Sequence, residues 1–213
     1  MTTSATPETA QTSSLPNALT IARLVAAPIV AGLILWGGRV LYTLGSDLSV
    51  VLLSTAFVIF LLAALTDWLD GAMARRLGAT SVMGAALDHA ADKALVTAAL
   101  MALAATALPF DLVVAAAIIV TRDVAVAGLR EGLSLAGRAL PVSSLGKVKT
   151  VVELIGVGGA IALQITAIVA PHAERALEPL DVIAFIARAT LWAAAALALW
   201  SGADYARAAM KRA

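Results

Sequence analysis

Six stretches of this 213-residue chain are apolar over lengths that can cross a bilayer, with only short polar breaks between them. They lie at about 18–37, 48–66, 85–108, 112–129, 151–170 and 182–203, close to the roughly 20 residues a helix needs to traverse the hydrocarbon layer. Backbone N–H and C=O groups find no water in that layer, so a spanning segment must close its own hydrogen bonds as a helix. The predicted fold is therefore all-α, a polytopic integral membrane protein of six transmembrane helices embedded in the lipid bilayer. Turn chemistry marks the breaks: Gly37-Gly38, Gly45-Ser46, Gly78, Pro109, Pro141 with Ser143-Ser144, Pro171 and Pro179. The second helix is expected to run past the apolar layer to about Leu77.

Composition agrees and excludes several alternatives. Apolar residues make up 61% of the chain, against about 45–50% in soluble domains. The absence of cysteine rules out disulfides and thiolate metal sites. A formal charge of +1 gives no reason to expect a nucleic-acid partner. Residues 1–15, MTTSATPETAQTSSL, are rich in Ser and Thr, with no basic residue before Arg23. They read as a disordered cytoplasmic tail and not as a signal peptide. Residues 16–213 form one six-helix membrane domain, with no internal repeat and no linker long enough to define a second.

Against that apolar background stands DWLDGAMARRLGATSVMGAALDHAAD, residues 67–92. Asp67 and Asp70 are spaced i, i+3, and Asp88 and Asp92 are spaced i, i+4, so each pair projects from one helix face. Two such helices side by side would point four carboxylates at one spot. Ionised acids at membrane depth are costly and mark function. Hard divalent cations, Mg²⁺ or Mn²⁺, are the natural partners of clustered oxygen donors, with a phosphate as further ligand. Gly71 leaves room for a ligand to approach the backbone, and Arg75 can offer paired hydrogen bonds to a phosphate. Small residues here also serve ordinary helix packing, which accounts for the alanines of this segment.

Orientation follows from the basic residues. With the N-terminus inside, ten fall on the cytoplasmic side: Arg23, Arg75, Arg76, Arg130, Arg138, Lys147, Lys149, Arg207, Lys211 and Arg212. Only Arg39 and Arg175 fall in the opposite loops, while Lys93, Arg122 and Arg188 lie within spans. Both termini and the aspartate segment are thus expected at the cytoplasmic face of an inner membrane. Trp36, Trp68, Trp192, Trp200, Tyr42 and Tyr205 read as interfacial anchors. His172 falls in an outer loop.

The order Asp67, Asp70-Gly71, Ala74-Arg75, Gly84, Asp88, Asp92, with its spacing, resembles the complete signature of the CDP-alcohol phosphotransferases. That resemblance implies a cytoplasm-facing active site with two divalent metals, a CDP-linked lipid donor and release of CMP. It implies that Asp67, Asp70, Asp88 and Asp92 are metal ligands and that Asp92 is also the general base. It further implies that Gly71, Arg75 and Ser81 contact the CDP portion, and that the protein is a homodimer. Asn17, after Pro16, is suited to cap a first helix starting near Ala18, where a helix N-terminus could also bind the CDP phosphates.

A second segment bears on the acceptor. RDVAVAGLREGLSLAGRALPVSSLGKVKT, residues 122–150, places Arg122 inside a span and Arg130 two turns later, with Lys147 and Lys149 opening the next helix. Arg and Lys gathered beside a metal site point to an anionic second substrate, its phosphate held by Arg122, Arg130 and Lys147. Pairing of Arg122 with Asp123 or Glu153 is the structural alternative. Arg122-Asp123, Gly128-Leu129-Arg130 and Ser143 to Thr150, with Pro16 to Arg23 and Thr66 to Gly71, are similar to one branch of the family. That branch is the CDP-diacylglycerol–glycerol-3-phosphate 3-phosphatidyltransferases, which implies CDP-diacylglycerol as donor and sn-glycerol 3-phosphate as acceptor. His89 departs from the Pro usual there. Other acceptors remain open at this point: inositol phosphate, serine, or phosphatidylglycerol. Two other classes compete. Membrane prenyltransferases carry their acidic motifs on distant helices, and a cation transporter or scaffold would leave Arg75 and the basic segment unexplained.

Overall fold

The computed structural model describes the backbone of residues 14–77, 82–106, 108–135, 144–169 and 177–210, and side chains for 20–66, 91, 93–106, 108–133, 148–169 and 180–210. Six α-helices account for almost all of it: α1 Ser14–Thr43, α2 Ser46–Leu77, α3 Val82–Thr106, α4 Phe110–Leu135, α5 Ser144–Val169 and α6 Leu177–Met210. Among the described residues, five carry apolar stretches long enough to cross a membrane: Thr20–Thr43, Ser46–Thr66, Phe110–Leu133, Val148–Val169 and Leu180–Met210. The protein is a multi-pass membrane protein. α3 is the remaining, sixth helix. Its helix runs Val82–Thr106, and the apolar part among the described residues is Lys93–Thr106.

α1 packs along both α2 and α3, α6 lies against α4 and α5, and α2 meets α5. Among the described residues α2 and α3 touch each other only slightly. The two acid-bearing helices are therefore flanked and held by α1 more than by each other. Leu53 and Phe60 of α2, Leu100 and Leu103 of α3, Ile119 of α4 and Ile161 of α5 meet in the fully buried core. Val58, Leu62, Phe185 and Trp200 are among many large apolar side chains on the outside, the arrangement expected when the surrounding solvent is lipid.

Three details correct the sequence reading. The chain is already helical from Ser14, so Asn17 lies within α1 and not ahead of a helix starting at Ala18. Gly37-Gly38 is not a break. A β-carbon on Gly38 would sit 2.7 Å from Thr106 Cγ2 and one on Gly37 3.0 Å from Leu53 Cγ, so this pair lets α1 approach α3 and α2 closely, as small residues do between membrane helices. The chain reverses instead at Gly45, with φ of 107°, a backbone state open to glycine. Tyr205 is buried, 7% exposed, and is no surface anchor.

Other expectations hold. α2 is helical as far as Leu77, and the Pro109 carbonyl accepts from Leu112 N–H at 2.9 Å and Val113 N–H at 3.0 Å, opening α4. Ser49 satisfies its hydroxyl in the core by donating to Gly37 O at 2.8 Å. His172 and residues 1–13 lie outside the described residues.

Candidate active site

The aspartate segment occupies the C-terminal end of α2 and the N-terminal end of α3. Because α2 is unbroken to Leu77, Asp67, Gly71 and Arg75 fall at i, i+4 and i+8 along one ridge, with Asp70 beside them. On α3, Gly84, Asp88 and Asp92 repeat the same spacing. Each helix thus offers one acidic face with a glycine one turn from an acid. The side chains of Asn17, Asp67, Asp70, Arg75, Asp88, His89, Asp92 and Lys147 lie outside the described residues, as does Ser81 altogether.

The chain direction brings the C-terminal end of α4 and the start of α5 to this same end of the bundle. There the structure shows a buried ion cluster. Lys93 Nζ, one residue after Asp92, lies 2.8 Å from Asp123 Oδ2 and 3.9 Å from Glu153 Oε2. Lys149 Nζ donates to Asp123 Oδ1 and lies 2.8 Å from Glu153 Oε2. Lys149 and Glu153 are essentially inaccessible, 1% and 0% exposed. Among the described residues, three cations, Lys93, Lys149 and Arg122, face two carboxylates, Asp123 and Glu153.

Arg122 is the third cation, and it is already well occupied. Its Nη1 donates to Asp123 Oδ1 at 3.0 Å, its Nη2 to Ser201 Oγ at 2.9 Å, and its Nε to Ala198 O at 3.2 Å. Its guanidinium carbon sits 5.6 Å from the centre of the Tyr205 ring, close enough for a cation–π contact. Gly202 makes the room, since a β-carbon there would lie 3.2 Å from Arg122 Cγ. Pairing with Asp123, the structural alternative for Arg122, is present, and the residue also clasps α4 to α6. Arg130 is half-buried, two turns further along α4, and Lys147 is in the first turn of α5.

The sequence reading did not assemble Lys93, Asp123, Lys149 and Glu153 into one cluster. The i, i+4 spacing of Lys149 and Glu153 and the adjacency of Arg122 and Asp123 were visible signals. Their convergence with Lys93 is a tertiary fact.

The family model for CDP-alcohol phosphatidyltransferase matches residues 13–200, which include the whole aspartate segment and all six helices short of the end of α6. The chain belongs to the CDP-alcohol phosphatidyltransferase family. Among curated members, the chain is 32% identical over 199 residues to the CDP-diacylglycerol–glycerol-3-phosphate 3-phosphatidyltransferase of Bacillus subtilis strain 168, covering 90% of this chain and 93% of that protein. It is 34% identical over 154 residues to the protein of the same name from Sodalis glossinidius, covering 71% and 76%. A CMP-forming cardiolipin synthase of Oryza sativa subsp. japonica is 31% identical over 206 residues, covering 91% of this chain and 56% of its own length. For a CDP-alcohol phosphatidyltransferase, the signature at Asp67, Asp70, Gly71, Arg75, Gly84, Asp88 and Asp92 is complete, and the helices give each part a continuous backbone support.

Proposed function

We propose that this protein transfers the phosphatidyl group of CDP-diacylglycerol to sn-glycerol 3-phosphate, giving phosphatidylglycerophosphate and CMP. The observation that carries this reading is the intact aspartate signature on two helix ends of a chain that matches named 3-phosphatidyltransferases over most of its length. The residues present suit two divalent cations, Mg²⁺ or Mn²⁺. Asp67, Asp70, Asp88 and Asp92 offer only hard oxygen donors at helical spacing, and among the described residues no other His, Cys, Asp or Glu cluster could hold a metal. Bound there, the ions supply charge neutralisation of the pyrophosphate and of the departing phosphate.

The protein's own groups do the rest. Arg75 and Gly71 on one α2 ridge hold and admit the CDP portion, with Ser81 and Asn17 completing that side. Arg130 and Lys147 hold the acceptor phosphate, and Arg122 adds its charge from within its α4–α6 clasp. The acceptor's primary hydroxyl oxygen forms a bond to the phosphorus bearing the diacylglycerol. The bond from that phosphorus to the bridging oxygen breaks, and CMP departs with that oxygen and its electron pair. Asp92 takes the hydroxyl proton as general base. The positive-inside bias puts this end and both termini in the cytoplasm, at an inner membrane. The active form is a homodimer.

The substrate reading is tested by an acceptor panel on the purified protein, with and without Arg130→Ala. Glycerol 3-phosphate should be far the best acceptor, with glycerol, serine and inositol phosphate poor. Losing a charge-assisted hydrogen bond, about 1.5–3 kcal/mol, should raise the KM for glycerol 3-phosphate roughly 10- to 100-fold in Arg130→Ala and leave the donor KM nearly unchanged. Preference for phosphatidylglycerol, the direction in which the cardiolipin synthase relative points, would overturn the acceptor. An unchanged acceptor KM would remove Arg130 from the site.

A further inference from the structure

We propose that Lys93 is a positioning residue for the metal-binding face of α3, acting through its buried ion pair with Asp123. The inference rests on the function proposed above and adds to it the residue that follows Asp92 in the chain. Successive residues of a helix are about 100° apart, so whatever fixes Lys93 also fixes the direction in which Asp92 and Asp88 are presented. Lys93 Nζ is 2.8 Å from Asp123 Oδ2. Asp123 is in turn held by Lys149 from α5 and by Arg122, whose guanidinium is bound to Ala198 O and Ser201 Oγ of α6. The partner of Lys93 is thus tied to three helices, and α3 is pinned to a fixed post.

Apolar packing and the ion pair act on α3 together. Ala91, Leu95 and Val96 are buried beside Lys93 and hold α3 by van der Waals packing, which is less directional than a hydrogen bond. An ion pair between a 3% exposed carboxylate and an 18% exposed ammonium is directional. Losing it leaves Asp123 paired with Lys149 and Arg122 but removes the directional, charge-assisted tie between α3 and α4. Residues that orient metal ligands from behind typically change metal affinity 10- to 100-fold when lost.

The test measures Mn²⁺ binding to purified, detergent-solubilised protein by the electron paramagnetic resonance signal of free Mn²⁺, without substrates. Lys93→Met should weaken Mn²⁺ binding roughly 10-fold, whereas Lys93→Arg, which keeps a cation on Asp123, should restore most of it. Leu100→Ala, which opens a cavity at a fully buried α3 position about two turns along the helix from Lys93, should lower thermal stability and leave Mn²⁺ binding unchanged. If Lys93→Met does not fold, Lys93→Gln takes its place under the same criterion. Unchanged or tighter binding in the Lys93 variant overturns the proposal, since tighter binding is what simple removal of a nearby positive charge produces. An equal loss in Leu100→Ala also overturns it, by showing general loosening. Wild-type protein that binds no Mn²⁺ overturns the metal reading itself, a distinguishable outcome.

Discussion

Asp67→Asn and Asp88→Asn should each abolish CMP release, by on the order of 10³-fold or more, while the protein still inserts and folds. The size follows from the role: charge stabilisation by a bound metal is worth several kcal/mol, and each 1.36 kcal/mol is about tenfold in rate. Asn keeps the side-chain shape but removes the anion a hard cation requires. Folding should survive because removing a charge near the bilayer lowers the cost of insertion, and because the described core of α2 and α3, Leu53, Phe60, Leu100 and Leu103, is untouched. Initial rates of CMP release on matched, monodisperse preparations decide it. Near-normal rates in either variant would remove that acid from the metal site.

Asp92→Asn should lower single-turnover rate far more than it lowers donor affinity. Loss of a general base typically costs about 10²–10⁴-fold, and Asp92 carries that role together with metal ligation. Three other aspartates remain to bind metal and donor, so CDP-diacylglycerol binding should persist. The measurement is donor Kd against single-turnover rate across pH. A variant with wild-type turnover and an unaltered pH profile would leave the proton with another group.

Much of the architecture was legible because membrane helices announce themselves through unbroken apolar length, and six helices were found where six were expected. The continuation of α2 to Leu77 was readable because Asp67, Asp70 and Arg75 keep helical spacing beyond the apolar layer. Gly37-Gly38 misled because glycine serves two purposes. It ends helices in water but brings them together in lipid, and only the contact with Thr106 tells which applies. Tyr205 misled in the same way, since the cation beneath its ring comes from a residue 83 positions earlier in the chain.

The candidate site divides along a similar line. The acids, Gly71 and Arg75 lie within one local stretch, so their spacing alone states the chemistry. The ion cluster joins Lys93 of α3, Asp123 of α4 and Lys149 and Glu153 of α5, and no local periodicity reveals partners 26 or more residues apart. Arg122 shows the limit most clearly. An arginine inside a span could serve a substrate or a neighbouring helix, and the structure gives it Ser201 and Ala198 of α6.

The central claim is metal-dependent phosphatidyl transfer, and the most direct measurement is CMP release by the purified wild-type protein supplied with CDP-diacylglycerol. CMP and phosphatidylglycerophosphate should appear in equal amounts only when glycerol 3-phosphate and Mg²⁺ or Mn²⁺ are both present, and excess EDTA should stop the reaction. No CMP release under these conditions, or release that ignores EDTA or the acceptor, would contradict the account.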